Sequence, residues 1–278
     1  MSIKLGVIGG GVMGEALLSR LIAQKLYRPD EIVVSEPQAP RREFFVQKYG
    51  VKVTADNRAA AASDVLLLAI KPQVFNAVAT ELTQADAGTI RLQEHRPLVV
   101  SILAGVSLSQ LEAAFGHQPV IRAMPNTPAT VGAGVTAIAP GKAVKPNHLE
   151  QATAIFQSVG EVVEVPEHLM DAVTGLSGSG PAYVAIMIEA LADGGVAAGL
   201  PRAIASKLAL STVLGTAQLL QETELHPAEL KDRVTSPGGT TIAGITQLER
   251  AGFRSAVIEA VLAAKERSQQ LGQLKAEG

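Results

Sequence analysis

Three glycines near the start of the chain are spaced in a way that suits the binding of a phosphate group. The segment Gly9-Gly10-Gly11-Val12-Met13-Gly14 follows an apolar, strand-like run at residues 3–8 and opens a helical pattern. In such a strand–turn–helix, the first glycine allows a tight turn and the second lets the backbone approach a pyrophosphate. The third lets the helix pack on the strand, and the helix start adds N–H donors and a partial positive charge. The pattern predicts a nicotinamide dinucleotide site; the alternative is a glycine-rich turn without a ligand. The predicted contacts are Ile8, Gly9, Gly10, Gly11, Val12, Met13 and Gly14.

The end of the second predicted strand, residues 31–35, should lie beside the adenine ribose of this dinucleotide. Glu36 favours a free 2′-hydroxyl, as in NAD, because a carboxylate accepts its hydrogen bond. Ser35 with the nearby Arg41 favours a 2′-phosphate, as in NADP. The residues carry both signals, and a further alternative is that Arg41 and Arg42 only cover a helix surface.

Later strand ends should line the same crevice, because ligands of an open α/β sheet lie at the carboxyl ends of its strands. The segment Ala69-Ile70-Lys71-Pro72 places Lys71 near the dinucleotide, unless Lys71 is only a solvated residue before a helix-starting proline. Ala104-Gly105 and Met124-Pro125-Asn126-Thr127-Pro128 end two further strands, and their small residues and backbone amides suit a flat nicotinamide ring. The predicted contacts are Ala69, Ile70, Lys71, Pro72, Ala104 and Asn126.

The order of the elements predicts a two-domain protein. Apolar runs predict strands at residues 3–8, 31–35, 51–54, 65–70, 98–103, 120–123 and 135–139, and a polar stretch at 84–96 predicts a surface insertion. Helical patterns alternate with these runs, as in an α/β Rossmann-type fold with a doubly wound parallel sheet. After Pro166 helices are predicted at 168–176, 181–198, 201–221, 227–234, 240–251 and 253–271. We therefore expect a dinucleotide-binding domain at 1–165 and an all-α substrate and dimerisation domain at 166–278.

The composition excludes several kinds of site. The chain has no cysteine, so disulfides, thiol nucleophiles and thiolate metal sites are excluded, and its five histidines lack ligand spacing, so we predict no metal. A net charge of −2 without charged runs argues against nucleic-acid binding. The most apolar stretch, 181–200, includes Glu189, Asp193 and two glycines, so we expect a buried helix and no membrane span. The strand pattern begins at once, so we expect no signal peptide and a cytoplasmic protein.

A second glycine-containing segment, Ser236-Pro237-Gly238-Gly239-Thr240-Thr241, precedes a helical pattern. Backbone N–H groups at a helix start bind anions, so this segment could hold a substrate carboxylate while Thr241 directs its hydroxyl at a reacting nitrogen. The alternative is ordinary capping of the helix by Ser236 or Thr240. The residues alone favour capping.

Long motifs in the C-terminal half resemble the pyrroline-5-carboxylate reductase family. The resemblance is carried by Asp171-Ala-Val-Thr-Gly-Leu-Ser-Gly-Ser-Gly-Pro-Ala-Tyr183 and Leu230-Lys-Asp-Arg-Val-Thr-Ser-Pro-Gly-Gly-Thr-Thr241. Shorter segments extend it nearly end to end: Ala69-Ile-Lys-Pro72, Met124-Pro-Asn-Thr-Pro128, Ala190-Leu-Ala-Asp-Gly-Gly195 and Gly199-Leu-Pro-Arg202.

This resemblance implies the last step of proline biosynthesis. A hydride from NADPH or NADH would pass to the C=N carbon of 1-pyrroline-5-carboxylate and give L-proline. The resemblance also implies a homodimer interlocked through the C-terminal helices and a decameric ring of dimers. It implies a hydrogen bond from Thr241 to the imine nitrogen, a ribose contact from Asn57, and substrate contacts from Glu224, Ser236, Gly238, Gly239, Thr240 and Thr241.

Two positions vary from the family pattern, and two other functions stay as alternatives. The segment Ser35-Glu36-Pro37 varies within the family, so the resemblance leaves the coenzyme preference open. Thr240 stands where relatives often have Ala, and we predict Thr241 as the hydrogen-bond donor. A β-hydroxyacid dehydrogenase-like oxidoreductase would carry a lysine on the first long C-terminal helix, and residues 179–195 contain none. A non-enzymatic dinucleotide-sensing protein would lack the segment at 236–241.

Overall fold

A computed structural model describes residues 3–83 and 96–273 of the chain. Its N-terminal part is one eight-stranded sheet in the order β3-β2-β1-β4-β5-β6-β7-β8. The strands are β1 Leu5–Ile8, β2 Ile32–Ser35, β3 Lys52–Thr54, β4 Val65–Leu68, β5 Leu98–Ser101, β6 Val120–Met124, β7 Gly134–Pro140 and β8 Gly160–Glu164. The predicted α/β Rossmann-type architecture is confirmed, whereas the predicted insertion at 84–96 lies outside the described residues except for Arg96.

Helices cover both faces of this sheet, and the strand sequences reflect it. The helices of this part are α1 Val12–Ala23, α2 Ala39–Tyr49, α3 Asn57–Ala61, α4 Phe75–Thr83, α5 Leu108–Phe115, α6 Pro146–Gln157 and α7 Met170–Val173. Along β4, Val65 and Leu67 belong to one buried cluster, and Leu66 and Leu68 belong to a second. Because each face of the strand is buried, the sequence shows a continuous apolar run instead of an alternating one.

The far edge of the sheet departs from the predicted parallel arrangement. Strands β1 to β6 are parallel, but β7 pairs antiparallel with β6, and β8 then pairs parallel with β7. The connection from β6 to β7, residues 125–133, is shorter than the dozen or more residues that a parallel crossover requires. Strand β8 was absent from the predicted set because it lies at the edge, where its partly exposed residues, Gly-Glu-Val-Val-Glu, lack an apolar run.

The rest of the chain is helical, as predicted. The helices are α8 Gly180–Ala197, α9 Arg202–Thr223, α10 Pro227–Arg233, α11 Thr240–Arg250 and α12 Phe253–Gln273. Helices α8 and α9 pack through small residues: a Cβ on Gly195 would lie 3.1 Å from the Ala205 Cβ, and Ala192, Ala205 and Ala209 are buried. The predicted helix at 168–176 is a 3₁₀ turn, the short helix α7 and a π-helical turn, Thr174–Gly178.

Compactness divides the chain into two units. One contains the chain up to residue 178 together with its end from residue 264, and the other is Ser179–Ala263. We predicted a boundary near Val165, which follows the last strand directly. The sequence pattern marks the place where strands give way to helices, whereas the compact unit also keeps the short helical turns that pack on the sheet.

Candidate functional site

The turn after β1 can be made only by glycine at its first position. Gly9 has φ +104°, and a Cβ there would lie 2.6 Å from the Ala69 carbonyl oxygen. The Ala69 N–H donates to the Ile8 carbonyl at 2.8 Å, which holds the carboxyl ends of β1 and β4 together. The close approach of these two strand ends therefore brings Ile8, Gly9 and Ala69, three of the predicted dinucleotide contacts, into one place.

The other two glycines of the motif differ in what surrounds them. A Cβ on Gly14 would lie 2.5 Å from the Gly9 carbonyl oxygen and 3.2 Å from the Ala69 Cβ, so Gly14 lets α1 pack against the turn. A Cβ on Gly11 would meet nothing within 4 Å. Gly11 is the N-cap of α1, no side chain of the described residues bonds this helix end, and Val12 is 71% exposed. The start of α1 is thus open to a phosphate group, which its N–H groups would bind.

The carboxylate of Glu36 is engaged by the protein itself. One oxygen accepts from the Gly10 N–H at 2.9 Å, the other accepts from the Gln38 N–H at 3.0 Å, and the residue is 8% exposed. We expected Glu36 as a possible acceptor for a ribose 2′-hydroxyl. The structure places it beside the glycine turn, where both of its oxygens already hold backbone amides.

The guanidinium of Arg41 bonds the carbonyl of the same residue, Gly10. Its Nε donates to the Gly10 carbonyl at 2.7 Å, and a terminal nitrogen bonds Glu15 at 2.5 Å. The guanidinium also lies 4.5 Å from the Phe44 ring centroid and 4.8 Å from that of Phe45. Arg41 is therefore held in one orientation next to the glycine turn.

Glu15 joins this group of side chains on α1 and α2. It accepts hydrogen bonds from Lys48 at 2.9 Å and from the Tyr49 hydroxyl at 2.7 Å, in addition to Arg41. Partial burial acts to raise the pKa of the Glu15 carboxyl, but the hydrogen bonds from Arg41, Lys48 and Tyr49 outweigh it and lower that pKa to about 2. Glu15 is thus ionised across the physiological pH range.

A short chain of polar side chains lies at the end of β2. The Ser35 hydroxyl donates to Asn57 Oδ1 at 2.7 Å, and Asn57 Nδ2 donates to Glu81 at 2.8 Å. Arg42, close by, donates to the carbonyl oxygens of Glu36 and Pro37. The structure therefore brings the predicted residues Ser35 and Asn57 together. Glu81, on α4, has no motif around it in the sequence that could have indicated this position.

The remaining predicted contacts lie at the ends of neighbouring strands. Lys71 and Ala104 are exposed after β4 and β5, and Ile70 and Pro72 are half-buried. The Asn126 side chain, after β6, accepts from the Val135 N–H at 3.0 Å and donates to the Ser177 carbonyl at 3.1 Å. Asn126 therefore joins three backbone segments, a structural role that its position in the sequence does not reveal.

The segment at 236–241 forms a tight turn that leads into α11. Gly238 has φ +67°, and the Gly239 N–H donates to the Ser236 carbonyl at 3.1 Å. A Cβ on Gly239 would lie 2.4 Å from Ser236 Oγ. The N-cap is Gly239, and within the described part of the chain no side chain caps this helix. Neither Ser236 nor Thr240 takes the capping role that the sequence offered as the alternative.

Other predicted substrate residues lie in the same compact unit. Thr240 is exposed and Thr241 is half-buried on the first turn of α11, while Glu224 is exposed at the end of α9. Glu224 has φ +53°, a left-handed conformation that is uncommon for a residue other than glycine. Over residues 3–83 and 96–273, no three His, Asp or Glu side chains group as metal ligands.

Helix α9 is long and apolar. By length and composition alone, α9 could span a membrane: its most apolar 18-residue window has a mean hydropathy of 1.3, and 11% of that window is buried. A single helix of this kind is weak evidence, since helices that pack in protein cores meet the same criteria.

Comparison with known proteins covers both parts of the chain. The family model described as pyrroline-5-carboxylate reductase dimerisation matches residues 167–271. The model described as NADP oxidoreductase, coenzyme F420-dependent, matches residues 4–105. The first match includes α9, so this apolar helix lies inside a region that the family model assigns to dimerisation.

Relatives and solved structures match almost the full length. A pyrroline-5-carboxylate reductase of Synechocystis is 64% identical over 98% of this chain and 99% of its own. The structure of a pyrroline-5-carboxylate reductase from Coxiella burnetii has a TM-score of 0.87 at 37% identity and covers 96% of this chain and 98% of its own. A Plasmodium falciparum pyrroline carboxylate reductase with NADP bound has a TM-score of 0.86 at 30% identity over 97% and 98%. The chain therefore belongs to the pyrroline-5-carboxylate reductase family.

Proposed function

We propose that this chain reduces the C=N bond of 1-pyrroline-5-carboxylate to the CH–NH group of L-proline, with NADPH as the hydride donor. The observation that carries the reaction is the 64% identity to a pyrroline-5-carboxylate reductase over nearly the whole of both chains. The observation that supports the substrate position is the turn at 236–241, where a helix begins without a side-chain cap.

The chemistry requires orientation more than acid strength. When bound, the dinucleotide supplies the hydride. The N–H groups at the start of α11, with Ser236, Gly238, Gly239 and Thr240, hold the substrate carboxylate, and Glu224 lies near the ring. The reaction depends on holding the imine carbon in the orientation that accepts a hydride, and these contacts would supply that orientation. Thr241 donates a hydrogen bond to the nitrogen, a role that a neutral hydroxyl can fill.

The first turn of α1 holds the pyrophosphate of the dinucleotide, and Lys71, Ala104 and neighbouring residues at the ends of β4 and β5 line the nicotinamide half. The preference for NADPH is supported by Glu36, whose carboxylate oxygens are both occupied by backbone amides. Each oxygen keeps a second lone pair, but Glu36 is only 8% exposed, which limits the approach of a 2′-hydroxyl. Ser35 and Asn57 lie at the same strand end, where the Ser35 hydroxyl donates to Asn57 and the Asn57 amide donates to Glu81. A relative with NADP bound agrees with this preference.

The two domains divide these tasks. Residues 1–165 bind the dinucleotide, and residues 166–278 carry the substrate and the dimer interface of a cytoplasmic enzyme whose dimers form a decameric ring. The dimerisation match includes helix α9, so it favours a protein interface, and not a membrane, as the environment of this apolar helix. A second copy of the chain would cover its exposed leucines.

A spectrophotometric assay tests the reaction. NADPH should be consumed on addition of 1-pyrroline-5-carboxylate, with NADH used less well. Oxidation of a 3-hydroxy acid with reduction of NADP would instead favour a β-hydroxyacid dehydrogenase. Inertness toward both substrates, with dinucleotide binding intact, would favour a sensing protein.

The role of Thr241 needs a matched pair of variants. Thr241→Ala should lower kcat/KM by roughly tenfold to a hundredfold, the loss expected for one or two hydrogen bonds. Thr246→Ala is the control, because Thr246 lies on the same helix with its hydroxyl bonded to the Ile242 carbonyl at 2.8 Å. Equal kcat/KM for Thr241→Ala and the wild type would remove Thr241 from the mechanism.

A further inference from the structure

The peptide units on either side of Gly10 are each held by a charged side chain. On one side Glu36 accepts from the Gly10 N–H at 2.9 Å, and on the other Arg41 Nε donates to the Gly10 carbonyl at 2.7 Å. We propose that Glu36 and Arg41 are positioning residues, which fix the glycine turn so that it meets the pyrophosphate of the dinucleotide without rearrangement. This inference rests on the proposed dinucleotide site at the start of α1.

The planarity of the peptide bond turns these two contacts into an orientation. In a trans peptide the C=O of one residue and the N–H of the next point in opposite directions. Arg41 holds the Gly10 carbonyl, so the Gly11 N–H must point in the opposite direction within that peptide plane. Glu36 holds the Gly10 N–H, so the Gly9 carbonyl likewise points away from Glu36. The Gly11 N–H is the donor at the open helix start, where a Cβ would meet nothing within 4 Å.

Arginine suits this role because its donors point in fixed, different directions. Nε reaches Gly10 while a terminal nitrogen reaches Glu15, and the ring centroids of Phe44 and Phe45 lie 4.5 Å and 4.8 Å from the guanidinium carbon. A lysine ammonium is a compact charge without this planar fork. The same contacts direct two of the three guanidinium nitrogens of Arg41 at the protein. Arg41 therefore acts on the turn, and the 2′-phosphate does not depend on it.

A positioning role for Arg41 and a role as a direct ligand of the 2′-phosphate predict different losses of dinucleotide affinity in Arg41 variants. The pyrophosphate is common to NADPH and NADH, so a disturbed glycine turn weakens the binding of both by the same factor. Loss of a direct 2′-phosphate ligand weakens NADPH alone. Loss of a ribose ligand at Glu36 weakens NADH alone.

The experiment measures Kd by titration calorimetry for three probes: ADP-ribose, 2′-phospho-ADP-ribose and adenosine 2′-phosphate. Arg41→Lys and Arg41→Ala should each weaken the first two roughly tenfold, about the value of one hydrogen bond, and leave adenosine 2′-phosphate within twofold of the wild type. Lys48→Met is the matched control, because Lys48 bonds Glu15 but not Gly10. It should change no Kd by more than twofold.

Several outcomes would overturn the assignment. They are a selective loss of 2′-phospho-ADP-ribose binding, full rescue by Arg41→Lys, or unchanged Kd values in both Arg41 variants. If the Arg41 variants do not fold, as circular dichroism would show, Glu36→Gln provides the same test, since its amide must turn a donor toward one of the two backbone N–H groups. It should weaken ADP-ribose and 2′-phospho-ADP-ribose equally, and a loss confined to ADP-ribose would make Glu36 a ribose ligand. Failure of the wild type to bind either compound would instead refute the dinucleotide site itself.

Discussion

Two alanine substitutions in the glycine turn should separate binding from folding. Gly11→Ala adds a methyl group to the open start of α1, and Gly14→Ala adds the same group where α1 packs against Gly9 and Ala69. Gly11 is the N-cap of α1, and Gly14 lies three residues later, inside the helix. Because both variants add the same methyl group, a difference between them reports the surroundings of each glycine and its place in the helix.

The expected changes in stability follow from the distances. At Gly14 the new Cβ would lie 2.5 Å from a backbone oxygen, so the helix must shift, and overpacking of this kind costs about 1–3 kcal/mol. The gain in helix propensity offsets roughly 0.5–1 kcal/mol of this cost, which leaves a net loss of up to about 2.5 kcal/mol. At Gly11, φ −71° and ψ −177° suit alanine. The weaker N-cap and the lower entropy of the unfolded chain nearly cancel, to within about 0.5 kcal/mol.

Urea unfolding of the protein without dinucleotide and calorimetric titration with NADPH measure the two effects. Gly11→Ala should keep the wild-type free energy of unfolding and lose at least about tenfold in affinity, because its methyl group takes the space of the pyrophosphate. For Gly14→Ala the main effect should be a lower free energy of unfolding. Equal stability losses in the two variants, or unchanged NADPH affinity in Gly11→Ala, would refute the assignment of the open helix start as the pyrophosphate site.

Two further predictions concern the ionised side chain of Glu15 and the backbone hydrogen bonds of Asn126. Because Glu15 has a folded pKa of about 2 against an ordinary value of 4.5, its contribution is complete above pH 4.5 and is lost as the pH falls toward 2. Urea titrations should show Glu15→Gln with a shallower loss across that window, by at most about 3 kcal/mol, and parallel curves would contradict the role of the Arg41, Lys48 and Tyr49 contacts. Asn126→Ala leaves the Val135 N–H and the Ser177 carbonyl without their partner and should cost about 1–3 kcal/mol, and Asn126→Asp, which sets a carboxylate oxygen against the Ser177 carbonyl, should also be destabilising. Wild-type stability in Asn126→Ala would show that water replaces both bonds.

The sequence predicted the elements whose signals are local. The strand, turn and helix around Gly9 to Gly14 are continuous in the chain, and every helix after residue 180 begins within one residue of its predicted start. The turn at Gly239 was also predicted from a local pattern, because the glycine-containing segment stands directly before a helical one. Local patterns of this kind depend on spacing alone, which a single sequence displays.

The features that escaped prediction depend on residues far apart in the chain. Glu36 was expected at the ribose, and nothing near it in the sequence shows that it would turn back to the amide of Gly10, 26 residues earlier. Glu81 reaches Asn57 from another helix. Strand β8 lies at a sheet edge, where partial exposure removes the apolar run that identifies a buried strand. In each case the outcome depends on the tertiary arrangement, which the local sequence does not contain.

The exposed surface of α9 links the folded state to the amount of protein present. Ile204, Leu208, Leu210, Leu214 and Leu219 are each at least 43% exposed on this one helix. Association that covers such residues favours the folded form by mass action, so the free energy of unfolding has no single value independent of concentration. We therefore expect the Tm of this protein to rise with the concentration at which it is measured.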